Sequence, residues 1–417
     1  MTFSQKIIYN EGNYLHLKRI QLREVLLLFS KKLLKDISSP ALLLDVEAFD
    51  ENCEHIAHKA NGKKIRIATK SIRSVPILKR IFQSNPIFQG LMCFSPHEAI
   101  FLAEKGFDDI LLGYPCTDEK ALAEIFKINL TEKKIIIMID SVQQIDQLVK
   151  IAKETSGKFY LCIDVDMSTE FPGLHFGVQR SPLKNEEEVI LLAKRIAQAP
   201  ALHLLGMMGY EAQIAGVADY MPNHFLKNIF ISYLKKRSIP EIQMRRQTIV
   251  HALEKAGFSL SIVNGGGTGS LHTTTKEDCV TEVTVGSGFY APLLFDSYQD
   301  FHYKPALFFS LPVVRKPASH IYTCLGGGYI ASGAMGKDRA PQPVSPSGGR
   351  LLALEGAGEV QTPVYFKKEK LEIGDRIVFR AAKAGEICER FNEISLIDNQ
   401  KKIGAYKTYR GEGVSFL

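Results

Sequence analysis

Between Ala41 and Asn264 the chain alternates short apolar runs with amphipathic stretches, and this constrains its fold more than any other feature of the sequence. Eight runs stand out: Ala41–Val46, Lys64–Thr69, Gly90–Ser95, Asp109–Tyr114, Lys134–Asp140, Lys158–Asp166, Leu202–Tyr210 and Ser259–Asn264. Each is short and rich in Ile, Leu and Val, the signature of a buried strand. The stretches between them carry helix-end signals. Pro76 suits a first helical turn, Gly106 closes the segment Pro96–Lys105, and Ser141 caps a helix expected to run to about Thr155. A longer, partly helical insertion runs to about Phe258. Eight strand–helix units over roughly 225 residues predict an α/β fold, a (β/α)8 TIM barrel over residues 41–300. A doubly wound open sheet is the competing arrangement.

After residue 300 the texture changes. Runs such as Ala306–Val314, His320–Cys324, Arg350–Leu354, Arg376–Phe379 and Ile394–Ile397 are short, β-like and separated by Gly, Pro and Ser. They predict a mainly β domain over residues 301–417. Residues 1–40 are expected to form an extension that packs with it. The apolar run Glu24–Ser30 is too short to span a bilayer and reads as part of an amphipathic helix.

Composition excludes several classes. The net charge of +7 is modest for 417 residues, and the basic residues are dispersed, which describes a solvated surface rather than a nucleic-acid footprint. The seven cysteines are odd in number and form no CxxC pair; they read as reduced thiols of a cytoplasmic protein.

In a barrel, chemistry gathers at the C-terminal ends of the strands. The run Lys64–Thr69 is closed by Lys70, where desolvation is expected to depress the amine and make it nucleophilic. The plain alternative is a lysine that snorkels out of the barrel mouth. The last apolar run ends in Asn264-Gly-Gly-Gly-Thr-Gly-Ser270, a loop suited to cradling a phosphate; the alternative is an ordinary tight turn. No Gly-Lys-Ser/Thr comes after it, so it is not a P-loop. A strand-end lysine and a phosphate cradle in one barrel mouth point to pyridoxal 5'-phosphate.

With these residues in view, the chain resembles the fold-type III pyridoxal enzymes, the alanine racemase-like barrels, and within them the D-threonine aldolase and D-serine dehydratase branch. The resemblance is carried by Pro40-Ala-Leu-Leu-Leu-Asp45, Ile67-Ala-Thr-Lys-Ser71, Asp109-Ile-Leu-Leu112, Gly173-Leu-His-Phe-Gly177, Gly209-Tyr-Glu-Ala-Gln213, Gly265–Gly269 and Gly286-Ser-Gly-Phe-Tyr290. It implies that Lys70 carries the cofactor as a Schiff base and that Tyr210 lines the ring. It implies that His175 and Gln213 stand near the cofactor, where the family has Arg and His. Gly266, Gly267, Thr268, Ser287 and Tyr290 are implied to hold the phosphate. Thr284 replaces a family Arg. In the C-terminal stretch, Glu386-Ile-Cys388 is similar to the branch's His-x-Cys metal pair, with Glu386 in place of His, and implies a divalent ion such as Zn or Mn.

The resemblance further implies a lyase of D-amino acids with a β-hydroxyl, acting by aldol cleavage or dehydration. It implies a homodimer that takes a small amino-acid substrate and engages neither nucleic acid nor membrane. A racemase of the alanine type, using Tyr322 or Tyr329 as second base, is an alternative, as is a non-catalytic cofactor-carrying barrel. A related decarboxylase would need a Cys-Asp pair, but Leu325 comes after Cys324. A phosphate-sugar barrel enzyme without pyridoxal is the remaining competitor.

Overall fold

The computed structural model describes residues 28–153, 157–221, 224–334 and 336–417. Thr155 and residues 1–27, which include most of the extension expected to pack with the β domain, lie outside the described residues. The chain divides into two compact units. One comprises Met1–Asn52, Phe289–Asp296 and Tyr303–Val414; the other comprises Cys53–Gly288, Ser297–His302 and Ser415–Leu417.

The second unit is a closed barrel of eight parallel strands: Lys64–Ala68, Phe88–Cys93, Ile110–Leu112, Ile135–Ile139, Phe159–Asp164, Leu202–Gly209, Ile262–Gly265 and Glu282–Val285. Helices Val75–Ser84, Pro96–Glu104, Glu119–Ile128, Val142–Ala152 and Glu186–Ala197 come after the first five strands. The insertion before the seventh strand holds the short helix Ala212–Ala215 and the long helix Phe225–Lys255. Part of the barrel interior is apolar: Leu111, Ile136, Met138, Cys162, Met208 and Ile262 form one buried cluster. Burying a side chain of this kind stabilises by roughly 1.5–3 kcal/mol.

The barrel is present as the alternation predicts, but its strands are counted differently. Ala41–Asp45 is not the opening barrel strand. It pairs antiparallel with Leu307–Ala318 and parallel with Glu393–Asp398, inside the nine-stranded sheet of the first unit. A continuous apolar run is equally at home in any strand buried on both faces, so the pattern alone does not choose between the two sheets. The missing barrel strand is Glu282–Val285, which seals the barrel by pairing with Asn264-Gly265 on one side and Lys64–Ile67 on the other. Its glutamate disguises it. The correction places Lys70 after the first strand and the two glycine-rich loops after the seventh and eighth, where this fold gathers phosphate sites.

In the first unit the sheet runs in the order Arg350–Leu351, Gln361–Tyr365, Ile321–Leu325, Leu307–Ala318, Ala41–Asp45, Glu393–Asp398, Lys401–Lys407, with Arg376–Arg380 also paired to Leu307–Ala318 and Gln342–Ser345 to Arg376–Arg380. The short helix Lys31–Lys35 buries Leu33 and Leu34 against Phe308, Val344 and Val378. Among the described residues no helix is long and apolar enough to cross a membrane.

Candidate active site

Lys70 sits in the single 3-10 turn Thr69–Ser71 that ends the first barrel strand. Backbone and side-chain bonds fix that turn, among them Arg73 N to Thr69 O. Ile72 N donates to Thr69 O, Thr69 Oγ1 donates to Met92 O on the neighbouring strand at 3.0 Å, and Arg73 Nε donates to Lys70 O at 3.1 Å. Arg73 adopts φ +52°, and its guanidinium lies 5.1 Å from the Phe94 ring centroid. The lysine side chain opens into the mouth, where Nζ donates to the Tyr114 hydroxyl at 2.9 Å.

Tyr114 stands just beyond the third strand, as Lys70 stands beyond the first. The Arg180 guanidinium lies 5.8 Å from the Tyr114 ring centroid and 5.9 Å from that of Tyr210. Lys70, Tyr114, Arg180 and Tyr210 therefore surround one space. The charges there are coupled. Desolvation alone would lower the Lys70 ammonium, but Tyr114 and then Tyr210 outweigh it and hold it above its ordinary value. This reverses the expectation of a depressed amine: the phenols, which the sequence does not place beside the lysine, win over burial. Tyr114 is brought down despite its burial, by Lys70 and then Arg180. Burial pushes the Tyr210 phenol up. At the end of the fifth strand, burial and then Asp140 push Asp164 up to about 7, against the pull of Arg180.

The two glycine-rich loops meet this space. A Cβ at Gly267 would stand 3.3 Å from Tyr210 Cε2 and 2.8 Å from Ala215 Cβ, and a Cβ at Gly286 would stand 2.9 Å from both Ala68 Cβ and Ser71 Oγ. These approaches need glycine. The hydroxyls of Ser71 and Ser287 lie 3.0 Å apart, and the Thr268 hydroxyl accepts from Gly288 N at 3.1 Å, leaving its own proton free to donate. The N–H groups of Gly266 and Gly267 are already given to protein acceptors, Glu211 Oε2 at 3.1 Å and Ser270 Oγ at 3.0 Å. Glu211 also accepts from Thr274 and from Arg246 of the long helix, which in turn pairs with Glu277. This buried network sets the shape of the loop, and hydroxyls supply its free donors.

The other expected residues divide between the barrel and the sheet unit. Gln213 is buried on the short helix Ala212–Ala215; its Nε2 donates to Met167 O at 2.5 Å and its Oε1 has no hydrogen-bond partner among the described residues. His175 lies on the hairpin Thr169–Phe171 and Leu174–Phe176, with Nδ1 2.7 Å from Glu170 Oε1. Arg180, five residues on, places its guanidinium by the Tyr114 and Tyr210 rings. Tyr290 belongs to the sheet unit, where its ring packs on Phe49 at 5.9 Å. Thr284 exchanges hydrogen bonds with Asn264 inside the barrel.

Also in the sheet unit, Glu386 accepts from Ser332 N and Oγ at 2.8 and 2.6 Å, and Cys388 is fully buried. Among the described residues no group of three His, Cys, Asp or Glu side chains is arranged to hold a metal ion. Each Glu386 oxygen accepts one hydrogen bond, and no third ligand of these types stands with the pair among the described residues. Tyr114, Arg180, Glu211 and Asp164 stand in this candidate site, and sequence reasoning does not single them out. Tyr114, Glu211 and Asp164 are accessible to the strand-end rule that finds Lys70; Arg180, on a loop beyond a hairpin, gives no such signal.

A parallel barrel with a lysine at the end of its first strand and a hydroxyl-lined cradle after its last two belongs to a class of fold used by pyridoxal-phosphate enzymes. The family model for the alanine racemase N-terminal domain matches residues 44–292, and the chain belongs to that family. It is 24% identical over 254 residues to the 3-hydroxy-D-aspartate aldolase of Paracoccus denitrificans (strain Pd 1222), a match covering 60% of this chain and 60% of that protein. The fold is similar to D-threonine aldolase from Filomicrobium marinum (TM-score 0.77, 17% identity, 91% of this chain and 96% of that one). It is also similar to D-threo-3-hydroxyaspartate dehydratase from Delftia sp. HT23 (TM-score 0.71, 16% identity, 90% and 98%). Alanine racemase from Clostridium difficile 630, in complex with cycloserine, is similar at a TM-score of 0.62 and 16% identity, covering 89% of this chain and 99% of that one.

Proposed function

We propose that the protein is a pyridoxal-phosphate-dependent lyase of D-amino acids bearing a β-hydroxyl. The observation that carries this is the convergence of Lys70, the Ser71/Ser287 hydroxyl pair and the Thr268 hydroxyl on one barrel mouth, in a chain of this family. The donor set fits the cofactor: hydroxyls for its phosphate, a lysine amine for its aldehyde, and the Arg180 cation for its net negative charge. A part for Tyr290 in phosphate binding rests on the resemblance alone. When bound, the cofactor supplies an electron sink that weakens bonds at the amino acid's α-carbon.

The chain's own residues do the rest. Lys70 would hold the cofactor by its aldehyde carbon, and its amine shares a proton with the Tyr114 hydroxyl. The Tyr210 ring and Gly267 wall one side of the mouth. Arg180, which donates no hydrogen bond to any described residue, is available to a substrate carboxylate. The relatives' names, 3-hydroxy-D-aspartate aldolase and D-threo-3-hydroxyaspartate dehydratase, support a β-hydroxy amino acid as the substrate class. Against a racemase that uses Tyr322, that hydroxyl is buried and donates to Glu369 O at 3.0 Å. A metal-free form of a cysteine-to-alanine mutant of the dehydratase has been solved; a metal at Glu386 and Cys388 rests on the resemblance alone, and no step is routed through one. A cytoplasmic homodimer completes the reading, supported by seven cysteines that form no disulfide among the described residues and by the resemblance.

The test is a spectrum of the reconstituted protein before and after borohydride. A visible band fixed by reduction is expected in the wild type and absent in Lys70→Ala. Products from D-threonine, D-serine and 3-hydroxy-D-aspartate, with and without a chelator, then separate the branches. Glycine plus aldehyde means aldolase; keto acid plus ammonia means dehydratase. A wild type that shows no band sinks the proposal.

A further inference from the structure

We infer that Tyr114 is the proton partner of Lys70, the group that takes the ammonium proton when the amine must react and returns it afterwards. The role rests on the proposed lysine chemistry, but the pairing itself can be read without it. The geometry is direct: a 2.9 Å hydrogen bond joins Lys70 Nζ to the Tyr114 hydroxyl, and Tyr114 is the single hydrogen-bond partner of that amine among the described residues. Both groups sit at strand ends of the same barrel, so their spacing is set by backbone rather than by flexible loops.

The groups facing the pair agree with this role. Arg180 stacks over the Tyr114 ring and favours its phenolate, Tyr210 adds a second phenol beside Lys70, and Asp164 opposes phenolate formation. As pH rises, the phenol is drawn to ionise early while the ammonium persists. One proton moved across the hydrogen bond then converts ammonium and phenolate into amine and phenol, with no net change of charge in the pair. When the amine condenses with a carbonyl, the N–C bond forms as the C–O bond breaks, the oxygen leaves as water with two of the nitrogen's three protons, and the third is the one that rests on the phenol oxygen. When the amine is released, the same proton returns. Because donor and acceptor are in contact, this proton stays on one face of the mouth. A racemase, by contrast, must deliver protons to both faces.

Tyr114→Phe tests the inference in two ways. The first uses the cofactor-free protein and the ultraviolet absorbance of phenolate against pH. The wild type is expected to show one tyrosine ionising ahead of the others, missing in Tyr114→Phe and moved upward in Lys70→Met. The second tracks trapping of Lys70 by pyridoxal phosphate and borohydride, read by peptide mass spectrometry. Without the phenol, Tyr210 alone is left to oppose desolvation and Arg180, so the midpoint of trapping falls and the rate at neutral pH rises about tenfold for each pKa unit lost. A trapping midpoint that stays put or rises overturns the inference, as does a titration with no early tyrosine. If Tyr114→Phe does not fold, the upward shift in Lys70→Met decides alone. An early tyrosine in a protein whose Lys70 ignores pyridoxal phosphate supports the pairing and overturns only the lyase reading.

Discussion

The barrel holds two clusters of charge built to opposite rules. In its floor, Arg66 is fully buried and every one of its N–H groups is used. Nε and Nη2 donate to the two Glu282 oxygens at 2.6 and 2.9 Å, Nη1 donates to Asp109 O and Leu91 O, and Nη2 also reaches the Asp109 carboxylate. Asn264 donates to Glu282 and exchanges bonds with Thr284. In the mouth, Lys70 has one hydrogen-bond partner among the described residues, and Arg180 faces two aromatic rings. The floor is closed chemistry: its charges satisfy one another and leave nothing to offer a ligand. The mouth keeps donors and cations in reserve, which is what a binding site requires and what a merely stable barrel does not.

The contrast predicts the largest effect first. Arg66→Met strands the Glu282 carboxylate in the interior and is expected to cost about 3–5 kcal/mol, the usual result of breaking a buried pair from one side. Arg180→Met, in the mouth, is expected to change stability by no more than about 0.5 kcal/mol, while weakening binding of pyridoxal phosphate or of the substrate carboxylate. Urea unfolding of the cofactor-free proteins, with a binding titration alongside, measures both. Comparable destabilisation by the two substitutions would erase the distinction between floor and mouth.

The same contrast explains what the sequence discloses. Periodicity makes the barrel legible because strands buried on both faces write continuous apolar runs, as in Ile135–Ile139. It misses Glu282–Val285 because a strand whose glutamate belongs to an internal ion pair does not look apolar, and it counts Ala41–Asp45 in the wrong sheet because that run is apolar in either place. Lys70 and the glycine loops are legible because strand-end position and glycine content are local. Arg180 is not, since only the hairpin at residues 169–176 brings it to the mouth, and neither is the phenol beside Lys70 that overturns the expected pKa shift.

A middle-sized effect should appear at Asp164. Its folded value, about 7, stands above the ordinary 3.8, so the native state holds a proton that the unfolded chain has released. Stability attached to this group is therefore present at acid pH and lost as pH climbs from about 4 to about 7. Asp164→Asn abolishes that loss. It is expected to gain roughly 1–3 kcal/mol over the wild type at pH 8, and to gain nothing near pH 4. Thermal denaturation across this range checks it. A variant whose Tm difference from the wild type is constant with pH would show that Asp164 is not held protonated, and would move it from the reserve of the mouth to the ranks of ordinary ionised carboxylates.

The smallest effect on stability, and the sharpest test of where the mouth ends, belongs to Gln213. Its amide donates to Met167 O, yet its buried Oε1 accepts from none of the described residues. An acceptor left so costs about 1–3 kcal/mol, whereas a made hydrogen bond returns about 0.5–1.5 kcal/mol. Gln213→Ala gives up the second and escapes the first, so the two nearly cancel and the cofactor-free protein should unfold within about 1 kcal/mol of the wild type. If the orphaned oxygen serves a ligand, the loss appears on binding instead, as about tenfold weaker retention of pyridoxal phosphate or substrate, the worth of one hydrogen bond of about 1.4 kcal/mol. Were stability to fall as far as in Arg66→Met, Gln213 would belong with the closed floor and not with the mouth. If neither stability nor binding moved, the unpartnered oxygen would have no claim on either.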